Sequence, residues 1–270
     1  MIEILGGWFA VTLAQTWKAS DIDEQTLNTL KKAHDKHADA IELFDRHKQA
    51  ADASLQKLVN RKKGILSTRM NRFISVYEQI RKVDFRPGDG ILELYADTLS
   101  VKQVEELKIM TTTSMQPLSE KELMVKFLFH GFLGPGIGNM ILADSKRNAE
   151  IANSQKRIAN TLYSQAKTLV IAVDAIGARA EQMSSLLARF SMLFGECIES
   201  TEQIIQQNGI DRSRYSRSDR ETLMNCVNLA QAVKAILDVP VLNADGSVTE
   251  ASLTALEEGE HRLQELRQNF

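Results

Sequence analysis

Proline and glycine are scarce in this sequence, whose 270 residues include 4 prolines and 14 glycines. Because these residues are the strongest interrupters of helices, their scarcity predicts long uninterrupted helical elements. No run of alternating polar and apolar residues is long enough to predict a β-strand. Both absences predict an all-α protein.

Cysteine is rarer still, with two residues, Cys197 and Cys226. Their spacing matches neither a zinc motif nor a disulfide framework. Both lie in apolar helical registers, so we expect buried free thiols in a reducing compartment. No secretory signal is recognisable, because the apolar start carries Glu3 and lacks a basic leader. The sequence thus predicts a cytoplasmic protein, peripheral to the membrane if its apolar segments reach lipid.

The sequence also has no excess of basic charge, since its formal net charge is −2. A domain dedicated to nucleic acid is usually basic, so nucleic acid is not an expected partner. No Gly-x-Ser-x-Gly elbow, Walker-type loop, dinucleotide loop or Cys-His pairing occurs. We therefore predict a non-enzymatic protein with no catalytic residue and no cofactor.

Two long amphipathic helices dominate what is present. The first is predicted from the capping residues Ser20 and Asp21 to Val83. Its apolar positions step by three and four residues, as in a coiled coil with polar interruptions. After Gly64 the stripe shifts by one residue, which predicts a kink or a change of partner. The predicted seam is Leu27, Leu30, His34, His37, Ile41, Phe44, Lys48, Ala51, Leu55, Leu58, Lys62 and Ile65, then Leu66, Met70, Phe73, Tyr77 and Ile80.

The second long helix is predicted from Ile137 to Asn208, with Gly209 as its C-cap. An unbroken apolar series recurs along it every seven residues, and a companion series with the same spacing is offset from it by four residues. Interleaved series of this kind are typical of coiled coils and long bundles. The first series is Leu162, Leu169, Ile176, Met183, Phe190, Cys197 and Ile204, and the companion is Ile151, Ile158, Gln165, Ala172, Arg179, Leu186 and Leu193.

Two shorter helices are predicted after a polar linker, residues 211–220, whose four arginines could grip an anion or be exposed. Ser218 and Glu221 predict a capping box for the first helix, and Pro240 closes it. After a turn at residues 243–246, the last amphipathic helix carries Leu253, Leu256, Leu263 and Leu266.

Together these elements predict an elongated helical bundle with two long coiled-coil-like helices. We expect an apolar N-terminal segment at residues 1–19 and a long-helix bundle at residues 20–210. Residues 211–270 would form a C-terminal helical hairpin that packs on this bundle.

An almost uncharged stretch at residues 127–143 has Gly134-Pro135-Gly136 at its centre. This pattern predicts two short apolar arms around a tight corner, and each arm is too short to span a bilayer as a helix. The corner could be a buried joint, or a tip that docks on a membrane or a partner. The candidate contact residues there and in the N-terminal segment are Phe127, Phe129, Phe132, Leu133, Pro135, Ile137, Trp8 and Phe9.

The first helix has no acidic residue between Asp52 and Glu78, where basic residues collect. Such a stretch could meet phosphate groups, or it could be a solvated face that suits the end of a helix. The candidates for this basic patch are Lys57, Arg61, Lys62, Lys63, Arg69 and Arg72.

His34 and His37 lie on one helical face, close to Asp35 and Asp39. They could hold a metal only with a ligand from another helix, and no His-Glu-x-x-His pattern occurs. We therefore predict no metal site, and we interpret the histidines as polar seam residues that fix register or respond to pH.

The layout of two long helices around a short apolar hairpin resembles the helical pore-forming toxins of the hemolysin E type. The chain is also similar to uncharacterised helical membrane-associated proteins of bacteria. This second resemblance comes from the apolar start at residues 4–10, the Val83-Asp84-Phe85 helix end and the turn at residues 239–246. The resemblances imply a bacterial protein, and the second implies no activity. Membrane association is favoured by the two apolar glycine-containing segments, at the N-terminus and at residues 127–143.

We therefore expect a non-enzymatic protein that acts through its helical surfaces, with reversible membrane association. The alternative is a soluble coiled-coil scaffold or adaptor that binds another protein or self-associates. A third hypothesis is an enzyme with a cryptic site between helices, where several titratable side chains would have to converge.

Overall fold

The computed structural model describes residues 24–83, 85, 148–243 and 246–269. Throughout these residues the protein is all-α, as predicted, and no described helix is long and apolar enough to cross a membrane. The α-helices are α1 (Glu24–Ile65), α2 (Asn71–Ile80), α3 (Asn148–Asn208), α4 (Arg217–Asp238) and α5 (Glu250–Asn269). A π-helical turn, Leu66–Met70, joins α1 to α2, and a short 3₁₀ helix, Arg212–Arg214, precedes α4.

The π-helical turn lies where the sequence predicts a shift of the apolar stripe. A π turn accommodates one extra residue within an α-helix. Ile65 and Leu66 are accordingly both buried, at 4% and 3% exposure, and the stripe resumes at Met70. The discontinuity is therefore a one-residue insertion inside a helical segment that runs without a break from Glu24 to Ile80.

The predicted seam of α1 is largely confirmed by burial. Leu30 and Leu58 are fully buried, and the polar His37 and Lys62 are also enclosed, at 6% and 7% exposure. The exceptions lie near the start of the helix, where Leu27 is 41% exposed and His34 is exposed as well.

The first apolar series of α3 is confirmed from Leu169 to Cys197, but the companion series is wrong by one residue. Most described members of the predicted companion, such as Gln165 and Arg179, are only half-buried. The series that begins one residue later is buried throughout. Its members are Ala159, Ala166, Val173, Ala180, Leu187, Phe194 and Thr201.

The ends of the helices agree with most of the predicted caps. Gly209 has φ 64°, and its N–H donates to the carbonyl of Ile205 at 2.8 Å, which confirms the C-cap of α3. The capping box of α4 lies two residues earlier than predicted, because Ser216 and Asp219 exchange the two hydrogen bonds. The turn before α5 is confirmed by the hydrogen bond from Asn243 N–H to the carbonyl of Ser247.

The chain forms two compact units. Among the described residues, the first unit contains residues 24–54, 148–178 and 242–248. The second unit contains residues 55–83, 85, 179–241 and 249–269.

The two units have different cores. In the first unit, Leu30, Ala33 and Ala159 form a buried cluster. In the second unit, the rings of Phe73 and Phe194 lie 5.5 Å apart, between α2 and α3. The helices that matter most for the candidate site, α4 and α5, belong to the second unit.

Candidate functional site

A groove of about 320 Å³ lies between α4 and α5 in the second unit, with one residue of α3 at its base. Phe190 of α3 and Ile236 of α4 are buried and form an apolar floor. The walls come from α4 and α5. They consist of Ala232, Ala235, Val239, Ala251, Thr254, Ala255, Glu258, Gly259 and Arg262.

Small side chains keep this groove open. On α5, Ala251, Ala255 and Gly259 recur every four residues, so they lie on one helical face. Ala232 and Ala235 line the opposite wall on α4. Because alanine and glycine extend little from a helix, a partner's larger apolar side chains can approach both backbones.

Gly259 fixes α5 closely against α3. A Cβ atom at this position would lie 2.6 Å from Cδ2 of Leu186, whose side chain is fully buried. Since Leu186 is enclosed, a side chain at residue 259 would push the helices apart. The glycine therefore sets the depth of the groove.

A two-pronged ion pair fixes the same two helices beside Gly259. Arg189 of α3 donates from Nη1 to Oε2 of Glu260 at 2.8 Å and from Nη2 to Oε1 of the same carboxylate. These hydrogen bonds raise the pKa of Arg189. Paired bonds of this geometry hold both position and orientation, so they align α5 on α3.

Lys62 of α1 fixes the other wall. Its side chain is 7% exposed, and its Nζ donates to the carbonyl of Val239 at 2.8 Å. Val239 is the C-cap of α4 and also lines the groove. A cation at this end of a helix satisfies a free carbonyl and opposes the helix dipole.

Two opposite charges lie on α5 beside the groove. Glu258 and Arg262 are exposed and one helical turn apart. Neither forms an ion pair or a hydrogen bond with a described residue. The hydroxyl of Thr254 is already used, because it donates to the carbonyl of Glu250 at 3.3 Å. The mouth of the groove thus offers an anion and a cation that no described side chain neutralises.

The lining of the groove is largely apolar. It contains one carboxylate, Glu258, and one hydroxyl, Thr254, but no histidine, cysteine, serine or lysine. The groove can bury apolar side chains and pair with charges.

The basic patch predicted on the first long helix lies on α1, the π turn and α2, and most of its residues form contacts within the second unit. Lys57 pairs with Glu181 at 2.7 Å, and Arg61 donates to Oγ of Ser184 at 3.0 Å. Arg72 contacts Glu199 at 3.2 Å and also binds Glu202. Four of the six predicted residues, Lys57, Arg61, Lys62 and Arg72, thus contact α3 or α4.

Lys63 and Arg69 differ from the other members of the basic patch, because neither pairs with a described residue. Arg69 lies in the π turn against Gly195 of α3, where a Cβ atom would be 2.7 Å from its Cζ. Two separated cations provide a small basic surface, so binding of phosphate groups by the predicted patch stays a prediction.

The candidate membrane-contact residues lie outside the described residues. These are Trp8, Phe9, Phe127, Phe129, Phe132, Leu133, Pro135 and Ile137. The prediction of an apolar docking tip at residues 127–143 therefore remains a prediction.

His34 and His37 have different environments. His37 is enclosed, and burial lowers its pKa, with a smaller contribution from the neighbouring His34. The side chain of His34 is 53% exposed and lies 3.6 Å from Asp35. Within the described ranges, no group of three or more His, Cys, Asp or Glu side chains could hold a metal ion.

Residues of the arginine-rich linker before α4 form hydrogen bonds and an ion pair with residues close to them in the sequence. Asp211 accepts hydrogen bonds from the backbone and side chain of Ser213, and Arg217 pairs with Glu221 at 2.9 Å. Tyr215 is buried, and its hydroxyl donates to the carbonyl of Gly209 at 2.6 Å. These contacts account for the local structure of the linker.

The groove was missed by the sequence analysis, although a signal for it existed. Ala251, Ala255 and Gly259 form a stripe of small residues on one face of α5. A search for small residues at four-residue spacing would have found this face.

The chain was compared with protein-family models, with curated proteins and with solved structures, and none of the three comparisons found a match.

Proposed function

We propose that this protein is a helical scaffold that binds an amphipathic helix of a protein partner in the groove between α4 and α5. The observation that carries this proposal is the apolar groove lined by small residues, with the charges of Glu258 and Arg262 beside it. Grooves between helices bind partner helices through apolar anchors at positions i, i+3 or i+4, and i+7.

The dimensions of the groove support a helix as its occupant. From Ala251 to Arg262 the lining follows α5 for about three turns, or about 17 Å at 1.5 Å per residue. Its volume of about 320 Å³ is at the lower end of the roughly 300–1,000 Å³ typical of small-molecule sites. A few apolar side chains fill this space better than a large cofactor does.

The charges define the chemistry of the partner. An ion pair with Glu258 requires a lysine or arginine on the partner helix. An ion pair with Arg262 requires an aspartate or glutamate about one turn away. Complementary charges at an interface rim set orientation and exclude wrong partners. We therefore expect a short helix with an apolar stripe and one charge of each sign.

A designed peptide tests this proposal whatever the identity of the natural partner. The probe is a labelled three-turn amphipathic helix with leucines at i, i+4 and i+7, one lysine and one glutamate. Fluorescence anisotropy should show saturable binding with Kd below about 100 µM. Ala235→Glu places a charge on the groove wall and should weaken binding at least about tenfold, or 1.4 kcal/mol.

The matched control is Leu253→Ala, which changes an exposed residue of α5 that does not line the groove and should leave Kd unchanged. A second experiment uses the Arg262→Glu variant, which should bind the original peptide more weakly. It should bind more tightly a peptide in which lysine replaces the glutamate. Equal binding of all three protein variants, or no binding of either peptide, would refute the groove as a helix site.

Reversible membrane association is a second proposal, based on the apolar, glycine-containing sequence at residues 127–143. Phe132→Asp should then abolish flotation with liposomes and leave the helical content unchanged. A folded variant that still floats would contradict this proposal, and a variant that unfolds would indicate a buried corner.

A further inference from the structure

The two cysteines of the chain, 29 positions apart in the sequence, both lie in the second unit. Cys197 lies on α3 and Cys226 on α4, and both side chains are buried. The Sγ atom of Cys197 lies 3.9 Å from the carbonyl of Thr222, one helical turn before Cys226. Two scattered cysteines thus become one dithiol across two helices.

The thiols have unequal environments. Cys226 is fully buried, whereas Cys197 is 4% exposed. Interaction with Cys226 lowers the pKa of Cys197, while the same interaction and burial raise the pKa of Cys226. Since the thiolate is the reactive form, Cys197 is the better nucleophile by both exposure and ionisation.

We propose that Cys197 and Cys226 form a redox modification site, at which a small hydroperoxide converts the dithiol to a disulfide joining α3 to α4. This inference is independent of helix binding in the groove. Hydrogen peroxide is the simplest oxidant of this class, and it is small enough to reach a thiol with little exposed surface.

The reaction proceeds in two balanced steps. The thiolate of Cys197 attacks one peroxide oxygen, the O–O bond breaks, and hydroxide leaves to take up a proton as water. The resulting sulfenic acid is attacked by the sulfur of Cys226, which forms the S–S bond and releases a second water. In total, two thiols lose two hydrogens and two electrons, and one hydrogen peroxide becomes two water molecules.

The position of the two cysteines favours the second step. A disulfide requires an S–S distance of about 2.05 Å, and the Sγ atom of Cys197 already lies against the turn of α4 that precedes Cys226. A distant pair would instead leave the sulfenic acid to oxidise further or to react between molecules. The competing explanation is that both cysteines only fill the core, as small apolar side chains commonly do.

Mass spectrometry of the full-length protein separates these explanations. After brief exposure to hydrogen peroxide, the intact mass should fall by about 2 Da, the loss of two hydrogens. Alkylation after denaturation should then detect no free thiol, against two before oxidation. Dithiothreitol should restore the mass and both thiols.

Single variants test the order of the steps. In Cys226→Ala, the sulfenic acid on Cys197 cannot be resolved and should be trapped by dimedone. In Cys197→Ala, the enclosed Cys226 should react at least about tenfold more slowly. Far-UV circular dichroism confirms that each variant is folded, and the wild-type measurement does not depend on either.

Two results would overturn the inference. The first is a wild-type protein that retains both thiols under conditions that oxidise a free cysteine peptide. The second is oxidation of Cys197 to sulfinic acid, or a disulfide between two molecules, without an internal bridge.

Discussion

In the first unit, α1 and α3 approach each other through small side chains, and a Cβ atom on Gly177 would lie 3.3 Å from Cα of Ala51. In the second unit the core is built from larger groups, because Phe73, Phe190 and Phe194 are among the largest fully buried side chains. α3 thus forms a tight seam with α1 in the first unit and an aromatic core with α2 in the second.

Polar contacts accompany the helix pairs in both units. Lys36 donates to Asn160 at 2.6 Å, and His47 lies 2.7 Å from Asp174, both in the first unit. The second unit adds the contacts that fix the groove, between Lys62 and Val239 and between Arg189 and Glu260. The comparison indicates that small residues set helix spacing in the first unit, whereas buried aromatic area stabilises the second.

The largest predicted difference between the units comes from truncating buried side chains of one heptad series. Phe194→Ala in the second unit should lower the free energy of unfolding by about 3–5 kcal/mol, because it removes a ring packed on Phe73. Val173→Ala, its counterpart in the first unit, should cost about 1–2 kcal/mol, because it removes two methyl carbons rather than a ring. Unfolding in urea measures the free energy of unfolding of both variants. Equal losses would show that the aromatic core contributes no more stability than the seam of the first unit.

A smaller effect is expected from glycines. Gly177→Ala should destabilise the protein by about 1 kcal/mol, since the backbone of Ala51 must shift and this overpacking exceeds the gain in helix propensity. Gly64→Ala is the matched control, because an added Cβ meets nothing within 4 Å. It should stabilise the protein by about 0.5–1 kcal/mol. Thermal unfolding that shows stabilisation by both changes would contradict the tight seam of the first unit.

The smallest effect concerns pH and tests the polar part of the same seam. Burial lowers the pKa of His37, so the folded protein prefers the neutral ring. Below about pH 6.5 the unfolded chain binds more protons than the folded chain, and stability should fall as pH decreases. His37→Gln should reduce this slope between about pH 7.5 and pH 5. Urea unfolding of the wild type and the variant at a series of pH values measures the slopes, and an unchanged slope in His37→Gln would exclude His37 as the cause.

The helices were predictable from the sequence because their signals are local. Sparse breakers, the C-cap at Gly209 and seven-residue spacing depend on neighbouring residues alone. The shifted companion series of α3 shows where this reasoning fails. Ala159, Ala166 and Ala180 are buried, but alanine gives little hydrophobic contrast, and the larger Ile158 and Leu186 favoured the adjacent register.

The candidate site depends on tertiary contacts that periodicity does not reveal. Its depth comes from Gly259 against Leu186, and these residues are far apart in the sequence. The capping box at Ser216 was missed for a different reason. Ser218 with Glu221 and Ser216 with Asp219 both place an acid three residues after a serine, and the sequence alone does not choose between them.

The π turn makes one place in the first helix tolerant of losing a residue. Deleting a residue from a regular helix rotates everything that follows by about 100° and moves an apolar stripe off the core. Removal of the exposed Ser67 would instead place Met70 four positions after Ile65, and the later members of the stripe would continue at three- and four-residue steps. Upstream and downstream stripes would then merge into one heptad register. Chains one residue shorter at this point can therefore keep the same buried face without a π turn.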